Sequence, residues 1–194
     1  MQTKIPDLPE RIEAERIYLR CYTASDGDWY YEMSRKNRAH LARYEADNVI
    51  MSIESRQDAE NVVQALAAEW EAQSCFFMGV FDKQTDEFVA QVYVGPGNRK
   101  VPEYEIGFIA DVDHEGQGYV TEATQTALGF IFNHLKAHRV RMECDDTNER
   151  SWRVAERCRM IREGHIRENK RNADGSLSGT LHYGLLAREY VERN

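Results

Sequence analysis

A chain of 194 residues with 33 acidic against 25 basic side chains has a formal charge of −8, which argues against nucleic acid as the main partner, because phosphate backbones demand basic stripes; an acidic surface fits a cationic substrate, and it also fits solubility alone. There is no apolar run of about 18 residues to span a membrane, no apolar leader core in the first fifteen residues, and the four scattered cysteines (21, 75, 144 and 158) lack metal spacing, so they read as reduced thiols of a cytoplasmic protein. The length suits one domain over residues 1–194, with a sizeable core.

In chain order, residues 1–13 are polar with Pro6 and Pro9 and predict an extended lead-in. Residues 16–22 alternate and predict the first strand. Thr23 or Ser25 can cap a helix over 26–35, and a second helical piece is expected over 38–44. Residues 55–73 predict a long helix with Ala59, Val62, Val63, Leu66 and Trp70 on one face. Strands are expected over 75–82 and 88–94, then a turn at Gly95-Pro96-Gly97-Asn98. A further strand covers 104–110. A loop leads from it into a helix with apolar positions at Val120, Ala123, Ala127, Leu128, Ile131 and Leu135. Beyond it come a strand at 140–144, a short helix at 148–158, and strands at 161–168 and 181–187 around turn residues 172–176. This order predicts a mixed sheet flanked by helices.

The chain is organised around residues 104–135, where strand, loop and helix follow without a break. Gly116-Gln117-Gly118 places two glycines directly before a helix N-terminus. Free N–H groups and the helix dipole attract an anion there, and glycine lets the backbone approach it. A phosphate-binding P-loop needs Lys-Ser or Lys-Thr after its last glycine; Tyr119-Val120 follows here. A dinucleotide fingerprint needs a third glycine where Thr121 stands.

Asp113-His114-Glu115-Gly116-Gln117-Gly118 resembles, at both glycines but not at its first position, the coenzyme A loop Gln/Arg-x-x-Gly-x-Gly/Ala of Gcn5-related (GNAT) N-acetyltransferases. Residues 116–123 resemble the RimJ/RimL branch, ribosomal-protein N-terminal acetyltransferases and relatives. Thirty residues after Gly118, Asn148-Glu149-Arg150-Ser151 resembles the Asn-x-x-Ser that opens a helix in this branch. Arg159-Met160 stands where relatives carry Gly-Phe, which puts the helix exit and the packing near the acetyl pocket in question. The resemblance covers nearly the full length. It implies a single-domain acyl-CoA N-acyltransferase fold of α/β (α+β) class, with a mixed, mostly antiparallel sheet. It implies acetyl-CoA as co-substrate, held by Phe108, Ile109, Ala110, His114, Glu115, Gly116, Gln117, Gly118, Tyr119, Asn148 and Ser151, and no metal.

Transfer from an acetyl thioester to an amine needs a proton acceptor for the amine, an acid for the leaving thiolate, and donors for the developing oxyanion. The resemblance places Ser151 near the thiolate and Asn148 on the pantetheine arm or as a helix cap. Glu105 on the strand before the loop is a candidate base, with Glu103 and Glu168 as competitors. Alternation puts Glu103, Glu105 and Gly107 on one face, expected toward the cleft. A backbone N–H of Ile109 or Ala110 is expected at the oxyanion. His114 reads as exposed, and Cys144 as a small buried side chain rather than a nucleophile. The expected reaction is direct transfer in a ternary complex to a protein N-terminus or a small amine. Residues 26–73 and 170–179 would choose the acceptor. The alternative is a CoA-binding sensor without catalysis. Nucleic acid and membrane are not expected partners; monomer and homodimer both stay open.

Overall fold

The computed structural model describes residues 5, 8–98, 100–172 and 174–191. The lead-in residues 1–4, 6 and 7, and Ala173 of the expected turn, lie outside them. Eight strands form one sheet: β1 (Arg11–Glu13), β2 (Ile17–Cys21), β3 (Phe76–Asp82), β4 (Phe88–Pro96), β5 (Glu103–Ala110), β6 (Arg139–Asp145), β7 (Ile161–Arg171) and β8 (Leu177–Leu186), in the order β1-β2-β3-β4-β5-β6-β8-β7. All neighbours are antiparallel except β5 and β6. The helices are α1 (Gly27–Leu41), α2 (Arg56–Ala72), α3 (Tyr119–Asn133), α4 (Glu149–Arg157) and the short α5 (Ala187–Val191).

Alternation along the strands divides the core in two. Even residues of β3 (Phe76, Met78, Val80) and Ile106 of β5 pack with Ala123, Ala127, Leu128 and Ile131 of α3 and Val154 and Ala155 of α4. The opposite face carries Ile109, with Phe77 against it, under Tyr30 and Met33 of α1 and Ala59, Val63 and Leu66 of α2. Ser55 caps α2 reciprocally: its hydroxyl accepts from Asp58 N, and the Asp58 carboxylate accepts from Ser55 N at 2.8 Å.

Several boundaries differ from those the sequence predicts, each for a tertiary reason. The two helical pieces over 26–44 are one helix, α1, because polar Asn37 in its middle is buried and bonded to Asp111 and Val112. Strand β8 starts at Leu177 instead of 181, since Ser178 and Thr180 are buried polar residues satisfied by Asp145 and Asn169. Strand β4 runs through Gly95 and Pro96, paired with Glu105 and Tyr104. Strand β1, in the expected lead-in, is held by pairing with β2, and α5 is additional.

The pairing of β5 with β6 positions the site. It covers only Glu103–Glu105 against Arg139–Arg141. Beyond that the two strands part while β5 stays paired with β4 to Ala110. Asp111 N donates to Val89 O on the β4 side. By antiparallel alternation, Ile109 and Gly107 also turn their N–H groups to β4, and Phe108 and Ala110 turn theirs into the gap.

Candidate active site

The gap between β5 and β6 opens into a cleft of roughly 1140 Å³, a little larger than the usual small-molecule site. Phe108, Ile109 and Ala110 form its floor, residues 114–122 one wall, and Leu41, Tyr44 and Glu45 with residues 147–151 the other.

The glycine loop forms a backbone cradle directly before α3. Gly116 has φ +74° and Gly118 φ +84°, the left-handed region that side chains avoid. Gly118 is the N-cap of α3 and makes no side-chain capping bond, so the first N–H groups of α3 keep no side-chain partner there. A Cβ on Gly116 would meet nothing within 4 Å, and one on Gly118 would sit 3.4 Å from Arg16 Nη2.

The loop is fixed from beneath by Asp111, whose side chain is 2% exposed. It accepts from Lys36 Nζ at 2.8 Å, Asn37 Nδ2 at 2.9 Å and Asp113 N at 3.1 Å, and His114 Nδ1 lies 3.0 Å away. Burial alone would raise this carboxyl; the hydrogen bonds from Asn37, Lys36 and His114 together outweigh burial and hold it below its usual value. His114 is therefore half-buried and structural where the sequence predicts exposure. The two acids flanking the cradle are also accounted for. Asp113 pairs with Lys36 at 2.6 Å, and Glu115 pairs with Arg150 of α4 and with His40 of α1 at 3.4 Å.

One cradle residue escaped the sequence reading. Arg16, just before β2, is held by Glu122 of α3, its Nε 2.8 Å from Oε2 and its backbone N 2.8 Å from Oε1. Its guanidinium lies over the Tyr119 ring and donates to Gln117 O at 3.1 Å. A cation is thus presented beside Gly118, from a segment about a hundred residues away in sequence. Tyr119 OH turns away to Asp82, and Gln117 Nε2 donates to Asp113 O.

At the other end, Asn148 caps α4, its side chain accepting from Ser151 N at 3.2 Å. Both line the cleft. The Cys144 thiol is pushed up to about 11 by burial, against which the Ser151 hydroxyl hydrogen-bonded to it works. Helix α4 then exits through Arg159 at φ +59°. Arg159 N donates to Glu156 O and Met160 N to Ala155 O, the two bonds of a Schellman exit, and Met160 is buried in the core. The exit that relatives make with Gly-Phe is intact.

The three candidate bases lie outside the cleft lining. Glu105 does not line the cleft. It sits where β5 and β6 are still paired, bonded to Arg141 Nη2 at 2.5 Å, and Glu103 is bound by Arg139 and Arg141. Glu168 is exposed at φ +52°, in a register shift of β7 between Ile166 and Lys170, and is also outside the cleft lining. The N–H expected from Ile109 belongs to β4; Ala110 and Phe108 supply those facing the gap. Glu45 lines the cleft instead, on the turn after α1, where no motif marks it.

The glycine loop at the α3 N-terminus thus lies beside the point where β5 and β6 part. Residues 16–161 match the acetyltransferase (GNAT) domain, and the chain belongs to that family. Among its relatives is YdaF of Bacillus subtilis (strain 168), provisionally named a ribosomal N-acetyltransferase. It is 24% identical over 181 residues, covering 91% of this chain and 94% of that protein. Solved structures with the same fold include RimL, a ribosomal alpha-N-protein acetyltransferase in complex with coenzyme A (TM-score 0.82, 18% identity, 93% of this chain and 99% of that one). Another is Mycobacterium smegmatis RimJ in complex with CoA-disulfide (TM-score 0.81, 19% identity, 93% and 89%).

Proposed function

We propose that this protein transfers acetyl from acetyl-CoA to a primary amine by direct attack within a ternary complex. The observation that carries the reading is the alignment of three features along one cleft: the cradle at Gly116–Gly118 with Arg16, the N–H groups of Phe108 and Ala110 in the strand gap, and Ser151 on the first turn of α4. The cradle would hold the pyrophosphate. Phe108 N–H and Ala110 N–H would bind the extended arm and the acetyl oxygen, and stabilise the oxyanion as it forms. Ser151 would give a proton to the departing thiolate. A covalent acetyl-cysteine route is disfavoured, because a Cys144 thiol raised to about 11 is almost wholly protonated near neutrality.

The amine is proposed to be a protein N-terminus. In support, several of the relatives and solved structures are named for ribosomal proteins, including a ribosomal-protein-S5-alanine acetyltransferase of Vibrio fischeri. The overall negative charge favours a cationic acceptor. The test is release of free thiol from acetyl-CoA with peptides bearing free N-terminal alanine or serine, and with spermidine, checked by mass spectrometry of the product. Acetylation of the peptides supports the reading. Acetylation of spermidine alone moves the acceptor to small amines. Tight acetyl-CoA binding without turnover of any amine makes the protein a CoA sensor.

A further inference from the structure

Among the described residues, five acidic side chains line the cleft: Glu15, Glu45, Glu115, Glu122 and Glu149. Three are engaged by arginines: Glu115 by Arg150, Glu122 by Arg16 and Glu149 by Arg153. Glu15 is exposed at the phosphate end, next to Arg16. Glu45 has a different environment. Its carboxylate accepts one bond, from Asn48 Nδ2 at 3.3 Å.

The turn that carries Glu45 is well defined. Glu45 N donates to Leu41 O at 2.8 Å, and Asn48 N donates back to Glu45 O at 3.0 Å. Next to it, Tyr44 OH donates to Thr147 O at 3.2 Å, joining this turn to the one that leads into α4. Glu45 is therefore held on the same wall of the cleft as the turn that leads into α4. The charge of Lys170, on β7, acts on Glu45 and opposes the effect of its burial. The Tyr44–Thr147 bond puts the Glu45 turn beside the segment that carries Asn148 and Ser151.

We infer that Glu45 is the carboxylate that takes the proton from the acceptor's ammonium group, directly or through one water. The inference rests on the acetyltransferase reading above and assigns its base. The protons balance: the ammonium gives one proton to Glu45, the neutral amine attacks the thioester carbon, the C–S bond breaks and the thiolate takes a proton from Ser151, and the second proton lost by the attacking nitrogen as the amide forms returns to Ser151, directly or through water. The groups facing Glu45 are Lys170 from β7 and Asn48 from its own turn, with His40, Arg43 and Tyr44 beside it along α1 and the turn. Burial raises the Glu45 carboxyl above its ordinary value, and the Asn48 bond and Lys170 charge oppose that shift without cancelling it. A carboxylate with a raised pKa is a better match for an α-amino group, whose pKa is about 8.

The experiment compares wild type, Glu45→Gln, Glu45→Asp and Glu105→Gln between pH 6 and pH 9. It uses alanine- and serine-initiated peptides and spermidine as acceptors, with acetyl-CoA affinity by calorimetry and thermal melts as controls. The expected result is a tenfold or larger loss of kcat/KM for Glu45→Gln at pH 6.5, narrowing toward pH 9 as the amine arrives neutral. Acetyl-CoA affinity and melting temperature should stay unchanged, Glu45→Asp should recover part of the rate, and Glu105→Gln should run parallel to wild type. A Glu45→Gln profile that overlies or parallels wild type overturns the inference and leaves the acetyltransferase reading standing. A pH-dependent defect in Glu105→Gln alone moves the base to β5. A wild-type protein that binds acetyl-CoA and acetylates none of these amines overturns the inference and the transfer reading together.

Discussion

Replacing Gly118 by valine tests the cradle, because the structure supplies its own control. Gly118 sits at φ +84° and Gly175, in the β7–β8 turn, at φ +85°. A side chain at either position must enter the left-handed region, at a cost of about 1–2 kcal/mol. A Cβ at Gly175 meets nothing within 4 Å; one at Gly118 lies 3.4 Å from Arg16 Nη2, in the space a phosphate would use. The two variants should therefore lose similar stability, about 2–8 °C in melting temperature for a chain of this size. Their ligand binding should part. Gly118→Val should weaken acetyl-CoA tenfold or more, about 1.4 kcal/mol, whereas Gly175→Val should bind as wild type. Calorimetry with acetyl-CoA, alongside thermal melts, reads both quantities. Equal affinities for the two variants would show that the glycine before α3 serves the turn alone, and the cradle assignment would fail.

Arg16→Gln should weaken CoA several-fold and flatten the salt dependence of binding, because a charge beside the phosphates is removed; calorimetry at two salt concentrations checks this. Ser151→Ala should lower kcat roughly ten- to a hundredfold with acetyl-CoA affinity kept, the size expected for one positioned proton donor; steady-state rates and calorimetry on the same preparation decide it. Arg159→Gly should stabilise the protein by about 0.5–1 kcal/mol, since glycine adopts the left-handed exit of α4 without strain, and a lower melting temperature would contradict that. Asp111→Asn should cost about 1–3 kcal/mol near neutral pH by loosening Lys36, Asn37 and His114. Because the folded carboxyl titrates below its unfolded value, its contribution is present above about pH 4 and is lost as pH falls further. Denaturant unfolding of both proteins at pH 7 and pH 3 should show the gap closing.

The elements legible in the sequence were those whose partners lie close in the chain. The run from Glu103 to Leu135 combines an alternating strand, two positive-φ glycines and a periodic helix, and each of these patterns is local. The Asn148 cap is local too, three residues from the N–H it satisfies. The misplaced boundaries carry buried polar residues. Asn37 interrupts an apolar pattern, so periodicity reads two pieces; its amide pays its burial cost by bonding Asp111 and Val112, 74 and 75 residues on. Ser178 and Thr180 hide the start of β8 in the same way.

The site divides along the same line. The cradle is a backbone device, and backbone conformation leaves a trace in glycine placement. The charged groups that complete it leave none, because a carboxylate or guanidinium is recruited by geometry. Glu105 has the right strand and parity for a base, yet β6 is still paired beside it and supplies Arg141, which occupies its carboxylate. The strands part only after that residue, and register decides this, which no residue type announces. Glu45 and Arg16 reach the cleft from α1 and β2, held by Leu41 and Glu122. Acids in this cleft are thus sorted by whether a cation answers them. The three paired with arginine hold the walls, Glu15 is exposed, and Glu45, which meets an amide and the field of Lys170, is the one we propose exchanges a proton with the acceptor.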